Sequence, residues 1–343
     1  MDHYFHRRKI SKIILLVFFA VVVTLLIFLA KGIVIANTFM SATGLTPRAT
    51  LSLVFGNGVD LGAIDGRVNV LLLGIAGGNH DGADLTDTQL VLSFHPEKKS
   101  LSMISVPRDI WSDTLKDKVN SAYHYGEQKR KDGGIVLSQA IISDMVGLPI
   151  QHTLVFNFLG FEKIIDLVGG ITIDVPIAFT DPDYPIAGKE NDMCDGDKEY
   201  TCRFETLSFQ AGMQQMNGNR ALKYVRSRNA IGAEGTDFAR GKRQQEVLLA
   251  VRERLMSKDV LTNPSLVLLL YKAFEDASDT DMNVGELMTL GKLFIGVEEG
   301  KSGQLSIEDQ LYTPPQSWYG RYVLLPKESF EKIHAFIKSK LDL

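Results

Sequence analysis

Cysteine is scarce in this chain, with two among 343 residues, Cys194 and Cys202. That number excludes a scaffold held by many disulfides, and no histidine stands near the pair to suggest zinc. EF-hand spacing is missing as well. Asp192, Asp195, Asp197 and Glu199 crowd the same loop, so a solvated acidic loop is the plain reading and a calcium loop its rival. Base is in short supply too, with 37 Lys and Arg against 41 Asp and Glu. A net-acidic chain lacks the basic stripe that nucleic-acid binding needs, and no helix-turn-helix is evident. Internal repeats and low-complexity tracts are absent. What is present, 45% hydrophobic and 23% charged residues with 30 glycines, describes a folded globular protein.

Charge disappears altogether between Ile13 and Ala30 ("IILLVFFAVVVTLLIFLA"), where Thr24 alone is not apolar. About 18 such residues at 1.5 Å rise nearly span a bilayer core of about 30 Å. The apolar part of a cleaved secretory signal is usually about 7–15 residues long. Here no clean small-x-small cleavage site follows, so an uncleaved transmembrane helix is expected over 13–31. Arg7, Arg8, Lys9 and Lys12 precede the span and only Lys31 follows closely, which keeps residues 1–12 in the cytoplasm. The chain is thus expected in the cell membrane as a single-pass protein with an extracytoplasmic domain. Without the five bases and one acid of the first 31 residues, 32 basic and 40 acidic residues remain, a formal charge of −8. Any anion held outside needs a local pocket. Outside the membrane, a disulfide joining Cys194 and Cys202 is expected.

Residues 32–66 read as a spacer and 67–343 as the folded domain. Val68–Leu73 before Gly74, "TQLVLSF" and "LSMISV" before Pro107 are short apolar runs that suit strands, and "AGGNHDGADLTD" is the loop after the first. "VLSQAIISDMVG" has helical spacing and stops at Gly147. "HTLVFNFLGFEKIIDLVGG" reads as strand then amphipathic helix, stopped at Gly169–Gly170. "ITIDVP" is a further strand, and a short helix surrounds Ala221. "FARGKRQQEVLLAVRERLMS" is a strong helix with Val247, Leu248, Val251 and Leu255 on one face. "RYVLLPKESFEKIHAFIKSKL" closes the chain as strand and helix. Strands mixed with helices in this way predict an α/β domain whose helices cover a central sheet.

Polar residues set among apolar strands need partners, because burying them unpaired is costly. Three places stand out. The loop after the first strand carries His80, Asp81, Asp84 and Asp87. "SVPRD" brings Arg108 and Asp109 out at a strand's carboxyl end. "YVRSRNAIGAEGTDFARGKRQQ", Tyr224 to Gln245, gathers Arg226, Arg228, Arg240, Lys242 and Arg243 around a glycine-rich spacer. Arg240, Arg243 and Gln244 share one helix face by their spacing, which should lie against the domain. Guanidiniums held together repel unless an anion joins them, and their planar fork suits phosphate. Asp237 or Glu246 could instead satisfy some of them. Asp81, Asp84 and Asp87 beside such a pocket suit a hard divalent cation, Mg2+ or Mn2+, bridging phosphate oxygens. The constellation points to phosphoryl transfer or diphosphate binding.

These segments resemble the LytR–CpsA–Psr family of membrane-anchored cell-envelope transferases. The matching pieces occur in the family's order: "NVLLLGI", "TDT" at Thr86–Thr88, "SVPRD" at Ser105–Asp109, "KVNSAYHYG" at Lys118–Gly126, "VGGITIDV", "NGNRALKYVRSR" and "DFARGKRQQ". The resemblance implies an α/β/α sandwich with a central mixed sheet, and a polyprenyl diphosphate lipid whose tail lies in an apolar tunnel between sheet and helices. It also implies Mg2+-assisted transfer of a phosphate-linked glycan to peptidoglycan or a related wall acceptor. By motif position, Asp87 would hold the metal, and Arg108, Arg228 and Arg240 the diphosphate, with Arg226, Arg243 and Gln244 close by. Asp109 would position Arg108 or assist proton removal. One departure is plain: Ala76 stands near the family's first-loop aspartate, and Leu85 replaces its arginine. His80 and Asp81 are expected to take over part of that role, Asp81 as second metal ligand with Asp84 as rival. A phosphohydrolase acting on the same lipid, or a non-catalytic lipid-binding or regulatory envelope protein, are the alternatives.

Overall fold

The computed structural model describes residues 58–78 and 82–341 throughout, with scattered positions between 32 and 56. The apolar run Ile13–Ala30, His80 and Asp81 lie outside the described residues. Among the described residues no helix is long and apolar enough to cross a membrane.

The chain begins its packed part with β1 (Val68–Ile75), β2 (Thr86–His95) and β3 (Ser100–Ser105). A small hairpin follows, β4 (Trp111–Ser112) and β5 (Asp117–Lys118), then α1 (Ala122–Lys129), α2 (Gly133–Val146), β6 (His152–Asn157) and α3 (Phe158–Leu167). Next come β7 (Ile171–Val175), β8 (Phe179–Pro185), β9 (Phe204–Phe209), β10 (Gly212–Met216), α4 (Gly218–Arg226) and α5 (Asp237–Leu255). The remainder supplies α6 (Pro264–Ala277), β11 (Ser278–Thr280), α7 (Val284–Gly296), β12 (Ser302–Ser306), β13 (Leu311–Tyr312), β14 (Leu325–Pro326) and α8 (Phe330–Leu341).

Six strands form the central sheet in the order β11-β6-β1-β2-β3-β12. It is mixed: β1 runs antiparallel to β2 and parallel to β6, and β3 runs parallel to β12. The near-continuous apolar sequence of β1 follows from burial on both faces. Leu71, Leu73, Val91 and Ile104 pack with Ile142 and Met145 of α2 and with Ile333 and Ile337 of α8. Val70, Leu90, Leu92 and Met103 face the opposite layer, where α5 and α7 contribute Leu248, Leu249, Leu290 and Phe294. Each such side chain, once buried, stabilises the fold by about 1.5–3 kcal/mol. The expected α/β/α layering is observed. Leu61, from the expected spacer, is also buried, and Val59 N donates to Thr289 Oγ1 at 3.0 Å.

The two helical layers close differently. On the α5 and α7 side, Leu72 of β1 and Leu154 and Phe156 of β6 stay only half-buried although their strands are interior. Leu248, Leu249, Leu293 and Phe294 opposite are likewise only partly covered. These apolar side chains therefore keep some solvent access between sheet and helices.

"ITIDVP" does form a strand, and it lies outside the central sheet. β7 pairs with β10 and β8 with β9, as two separate ribbons. Their inward side chains, Ile171, Ile173, Phe179 and Phe209, build a second core with Tyr224 of α4 and Val247 of α5. The strand alternation in β7, buried at Ile171, Ile173 and Val175 and exposed between, reflects a ribbon covered on one side only. The acidic loop between β8 and β9 is closed by the Cys194–Cys202 disulfide.

Candidate active site

Strand β3 ends at Ser105, and Val106 N still donates to Gln89 O at 2.9 Å before Pro107 stops the ladder. Arg108 and Asp109 emerge there. The neighbouring strand starts earlier than its apolar run suggests, at Thr86, so Asp87 belongs to β2 rather than to the preceding loop. Arg108 Nη1 donates to Asp87 Oδ1, and Arg108 Nε lies 3.5 Å from Asp109 Oδ2. Asp109 is only 2% exposed, and its Oδ1 accepts from Lys118 Nζ at 2.5 Å.

The N-terminus of α5 meets this point from above. Thr236 caps the helix, its Oγ1 accepting from Ala239 N at 3.1 Å. Gly241 allows the close approach, since a Cβ there would lie 3.0 Å from Ser105 Oγ. One turn on, Gln245 Nε2 donates to Ser105 Oγ at 2.7 Å and fixes helix against strand end. Arg240 is thereby buried beside Arg108, with its Nη2 2.9 Å from Asp237 Oδ1. Burial pushes the Arg240 guanidinium down to about 10; Asp237 resists the fall, while Arg108 and Arg228 add to it. Burial also works against the Arg108 charge, but Asp87, Asp109 and Asp237 outweigh it and raise its pKa.

Asp109 and Asp237 share a hydrogen bond and shift in opposite directions. Burial alone would raise both. At Asp109 it is overcome by hydrogen bonds from Lys118 and Asp237 and by the Arg108 charge, so that carboxylate lies below its usual range. At Asp237 burial prevails against Arg240, and the Asp109 hydrogen bond and charge push it further up.

Two buried donors at this point are left unmet. Arg108 Nε and Arg240 Nε are both buried and make no hydrogen bond among the described residues. Arg228 is exposed, on the loop that follows α4. Its backbone N and that of Asn229 donate to Asp181 Oδ2 at 3.1 Å each, as does Ser227 Oγ at 2.7 Å. Asp181 is fully buried and sets this loop's course.

Arg243 plays a different part. Its Nε donates to Tyr224 O at 3.0 Å, Nη2 to Ser227 O at 2.7 Å, and Nη1 to the Glu234 carbonyl and carboxylate at 3.0 and 2.8 Å. It is 2% exposed and lies over the Phe179 ring at 4.8 Å. Every guanidinium nitrogen is committed to the end of α4, the residue that follows it, or Glu234 of the glycine-rich spacer. Arg226 rests on the Phe158 ring at 4.6 Å, and Gln244 is half-buried. The structure thus brings Asp87, Arg108, Asp109 and Arg240 together, with Arg228 within electrostatic reach of Arg240. Carboxylate pairing accounts for Arg243 through Glu234, and for part of Arg240 through Asp237; Glu246 instead accepts from Tyr224 Oη at 3.0 Å.

Lys118, Asp181, Asp237 and Gln245 also act here, and sequence reasoning did not assign them to the site. Lys118 opens the "KVNSAYHYG" segment, which was a signal of sorts. In the sequence Asp237 reads only as a counter-charge.

Asp87, 28% exposed at its side chain, offers an oxygen donor next to Arg108. Magnesium typically takes one or two protein carboxylates together with phosphate oxygens and water, so this donor type fits Mg2+ or Mn2+. The rival ligand Asp84 is engaged elsewhere, with both its oxygens 2.8 Å from His124 Nδ1. The expected second ligand, Asp81, lies outside the described residues. Among the described residues, the one cluster of three ligand-type side chains is Asp192, Cys194 and Cys202, whose sulfurs are bonded to each other.

A model of the LytR_cpsA_psr family matches residues 48–335. The polyisoprenyl-teichoic acid–peptidoglycan teichoic acid transferase TagV of Bacillus subtilis strain 168 is 28% identical over 267 residues. That match covers 75% of this chain and 60% of TagV's own length. The crystal structure of B. subtilis TagV is similar with a TM-score of 0.57 at 24% identity, over 82% of this chain and 99% of that one. The LytR-CPS2A-psr family protein YwtF (TagT) with bound octaprenyl pyrophosphate lipid gives a TM-score of 0.52 at 20% identity, over 83% and 93%. At these identities the structural likenesses establish the shared fold.

Proposed function

The chain belongs to the LytR_cpsA_psr family, and from that premise we propose that it transfers a phosphate-linked glycan from a polyprenyl diphosphate carrier to peptidoglycan or a related wall acceptor. One observation carries the reading: two guanidiniums from distant parts of the chain, each with a buried Nε–H that makes no hydrogen bond among the described residues, Arg108 Nε having only Asp109 Oδ2 at 3.5 Å. A buried donor left unpaired costs about 1–3 kcal/mol. A diphosphate oxygen would relieve that cost at both. The α5 N-terminus adds its partial positive charge at the same place. The partly open side chains of Leu72, Leu154 and Phe156 suit the carrier's apolar tail, and the octaprenyl pyrophosphate bound to the similar TagT supports a lipid of that class.

In this mechanism a hydroxyl of the acceptor sugar attacks the glycan-proximal phosphorus. The new phosphorus–oxygen bond forms as the bond to the bridging oxygen breaks, and polyprenyl phosphate leaves. Arg108, Arg228 and Arg240 hold the diphosphate oxygens and neutralise charge growing on the leaving group. Arg226, Arg243 and Gln244 support them from nearby, Arg243 by fixing the loop that carries Arg228. The hydroxyl proton passes to the Asp109–Asp237 carboxylate pair, while Lys118 keeps Asp109 in place against Arg108. Mg2+ or Mn2+, when bound, supplies Lewis-acid neutralisation at the phosphoryl oxygens, with Asp87 as ligand and Asp81 or Asp84 beside it. The N-terminal apolar span would tether this domain to the outer membrane face, where such carriers are presented.

Incubating the full chain in detergent with a lipid-diphosphate glycan, with and without wall fragments, tests the proposal. Glycan joined to the fragments supports it. Equal release without acceptor would make the chain a phosphohydrolase, and binding without turnover a lipid-binding protein.

A further inference from the structure

Beyond the arginine pocket, a loop from the C-terminal part closes onto the same site. β13 and β14 pair antiparallel, Tyr312 opposite Leu325, so residues 313–324 leave and return at one place. The returning end lies on the segment that carries Asp109: Leu324 N donates to Asp109 O at 2.9 Å, and Trp111 N to Leu324 O at 3.0 Å. Arg321 Nη1 donates to Asp117 Oδ1 at 2.7 Å, and the Tyr319 ring packs against Trp111 at 4.8 Å between centroids. Lys118, the partner of Asp109, holds its ammonium 5.9 Å from the centre of the Tyr322 ring. The loop is therefore tethered at several points to the residues that hold Asp109.

Despite those tethers, its largest side chains face water. Trp318 is 66% exposed and Tyr322 45%. Leaving large aromatic rings open forgoes their burial, and each ring offers an apolar face that a ligand could cover while its polar tip stays wet. The polar neighbours are Gln316, Ser317 and the Arg321–Asp117 pair, so the surface alternates flat rings with hydrogen-bonding groups. That mixture matches a pyranose, which has a carbon-bound hydrogen face and a rim of hydroxyls. A bare lipid tail would leave those polar groups unmet.

We propose that the 313–324 loop is a subsite for sugar rings next to the diphosphate pocket, with Trp318 and Tyr322 as its stacking surfaces. The subsite rests on the transfer reading above for which glycans reach it. Those rings belong either to the wall acceptor or to the carrier-linked donor, and both present the same chemistry.

The chain holds two tryptophans, so the full-length Trp111→Phe variant leaves Trp318 as sole reporter. Its emission should change on titration with peptidoglycan glycan strands or with a lipid-diphosphate disaccharide. In the transfer assay, Trp318→Ala should raise KM for one of these two substrates about tenfold, and the substrate affected names the source. Affinity for glycan-free polyprenyl diphosphate should stay within about twofold, since stacking of a sugar plays no part in it. The proposal is overturned if Trp318 emission ignores both glycans, responds only to anionic lipid vesicles, or if neither KM more than doubles. Failure of the transfer reading would look different: no binding of polyprenyl diphosphate by the unsubstituted chain, with the emission titration still reporting on the loop.

Discussion

Replacing Arg108 by alanine removes a side chain that meets Asp87 through Nη1 and faces Asp109 through Nε. Its side chain is 15% exposed, so a phosphate bound there is largely shielded from water. A charge-assisted hydrogen bond in such a setting is worth about 1.5–3 kcal/mol. Lost affinity for polyprenyl diphosphate should then be about 10- to 150-fold. The upper end is expected, because Asp87 without its partner repels the incoming anion. Folding should suffer little. Asp109 retains Lys118 at 2.5 Å, and Asp87 is open enough to be hydrated, so the destabilisation should be about 1 kcal/mol. Arg108→Lys should recover only part of the affinity, since a point charge replaces the planar fork. Titration calorimetry in detergent micelles, paired with thermal melting, measures both quantities. A dissociation constant within twofold of the unsubstituted chain, with the fold intact, would refute the diphosphate pocket.

Asp87→Ala should raise the Mg2+ concentration needed for half-maximal transfer by about tenfold or more, whereas Asp84→Ala, which frees His124, should shift it far less; equal shifts in a metal titration reject Asp87 as the ligand. The raised pKa of Asp237 means its protonated form favours the fold. That contribution is complete below the usual carboxylate range of about pH 4 and is lost as pH rises through the folded value. Asp109 behaves oppositely, contributing above that range and losing it as pH falls through its lowered value. Asp237→Asn should therefore flatten the decline of melting temperature on the alkaline side of about pH 4, and a steeper decline would contradict the shared-proton pair. Arg243→Met should destabilise the fold by about 3 kcal/mol, read as a lower urea midpoint. The folded fraction should keep most of its lipid affinity; lost affinity at unchanged stability would return Arg243 to direct phosphate contact.

Local signals carried the layered core well. Val68–Leu73 and "LSMISV" are strands because interior positions tolerate unbroken apolar runs, and Gly147 ends α2 in the left-handed conformation with φ 66°. The disulfide followed from two cysteines in one short loop. Arg108 and Arg240 were singled out by motif position, and the structure brings them near one another, each beside carboxylates of its own. The rest depended on contacts between distant segments. Helical spacing put Arg243 and Gln244 on one face with Arg240, yet it could not reveal that Tyr224 O, Ser227 O and Glu234 would take up Arg243. Nor could it tell that Gln245, one position on, would reach Ser105 through the gap left by Gly241. Asp181 lies 47 residues from the Arg228 amide it holds, and no local pattern links them. The separate ribbons β7–β10 and β8–β9 were hidden for the same reason: alternation announces a strand without naming its partner.

The half-buried side chains of Leu72, Leu154 and Phe156 leave apolar surface that an occupant would cover. Apolar surface kept wet forgoes about 25 cal/mol for each Å2, and a prenyl chain lying there restores that contribution. On the proposed function cargo and scaffold would then protect one another, so the melting temperature should rise when polyprenyl diphosphate is added.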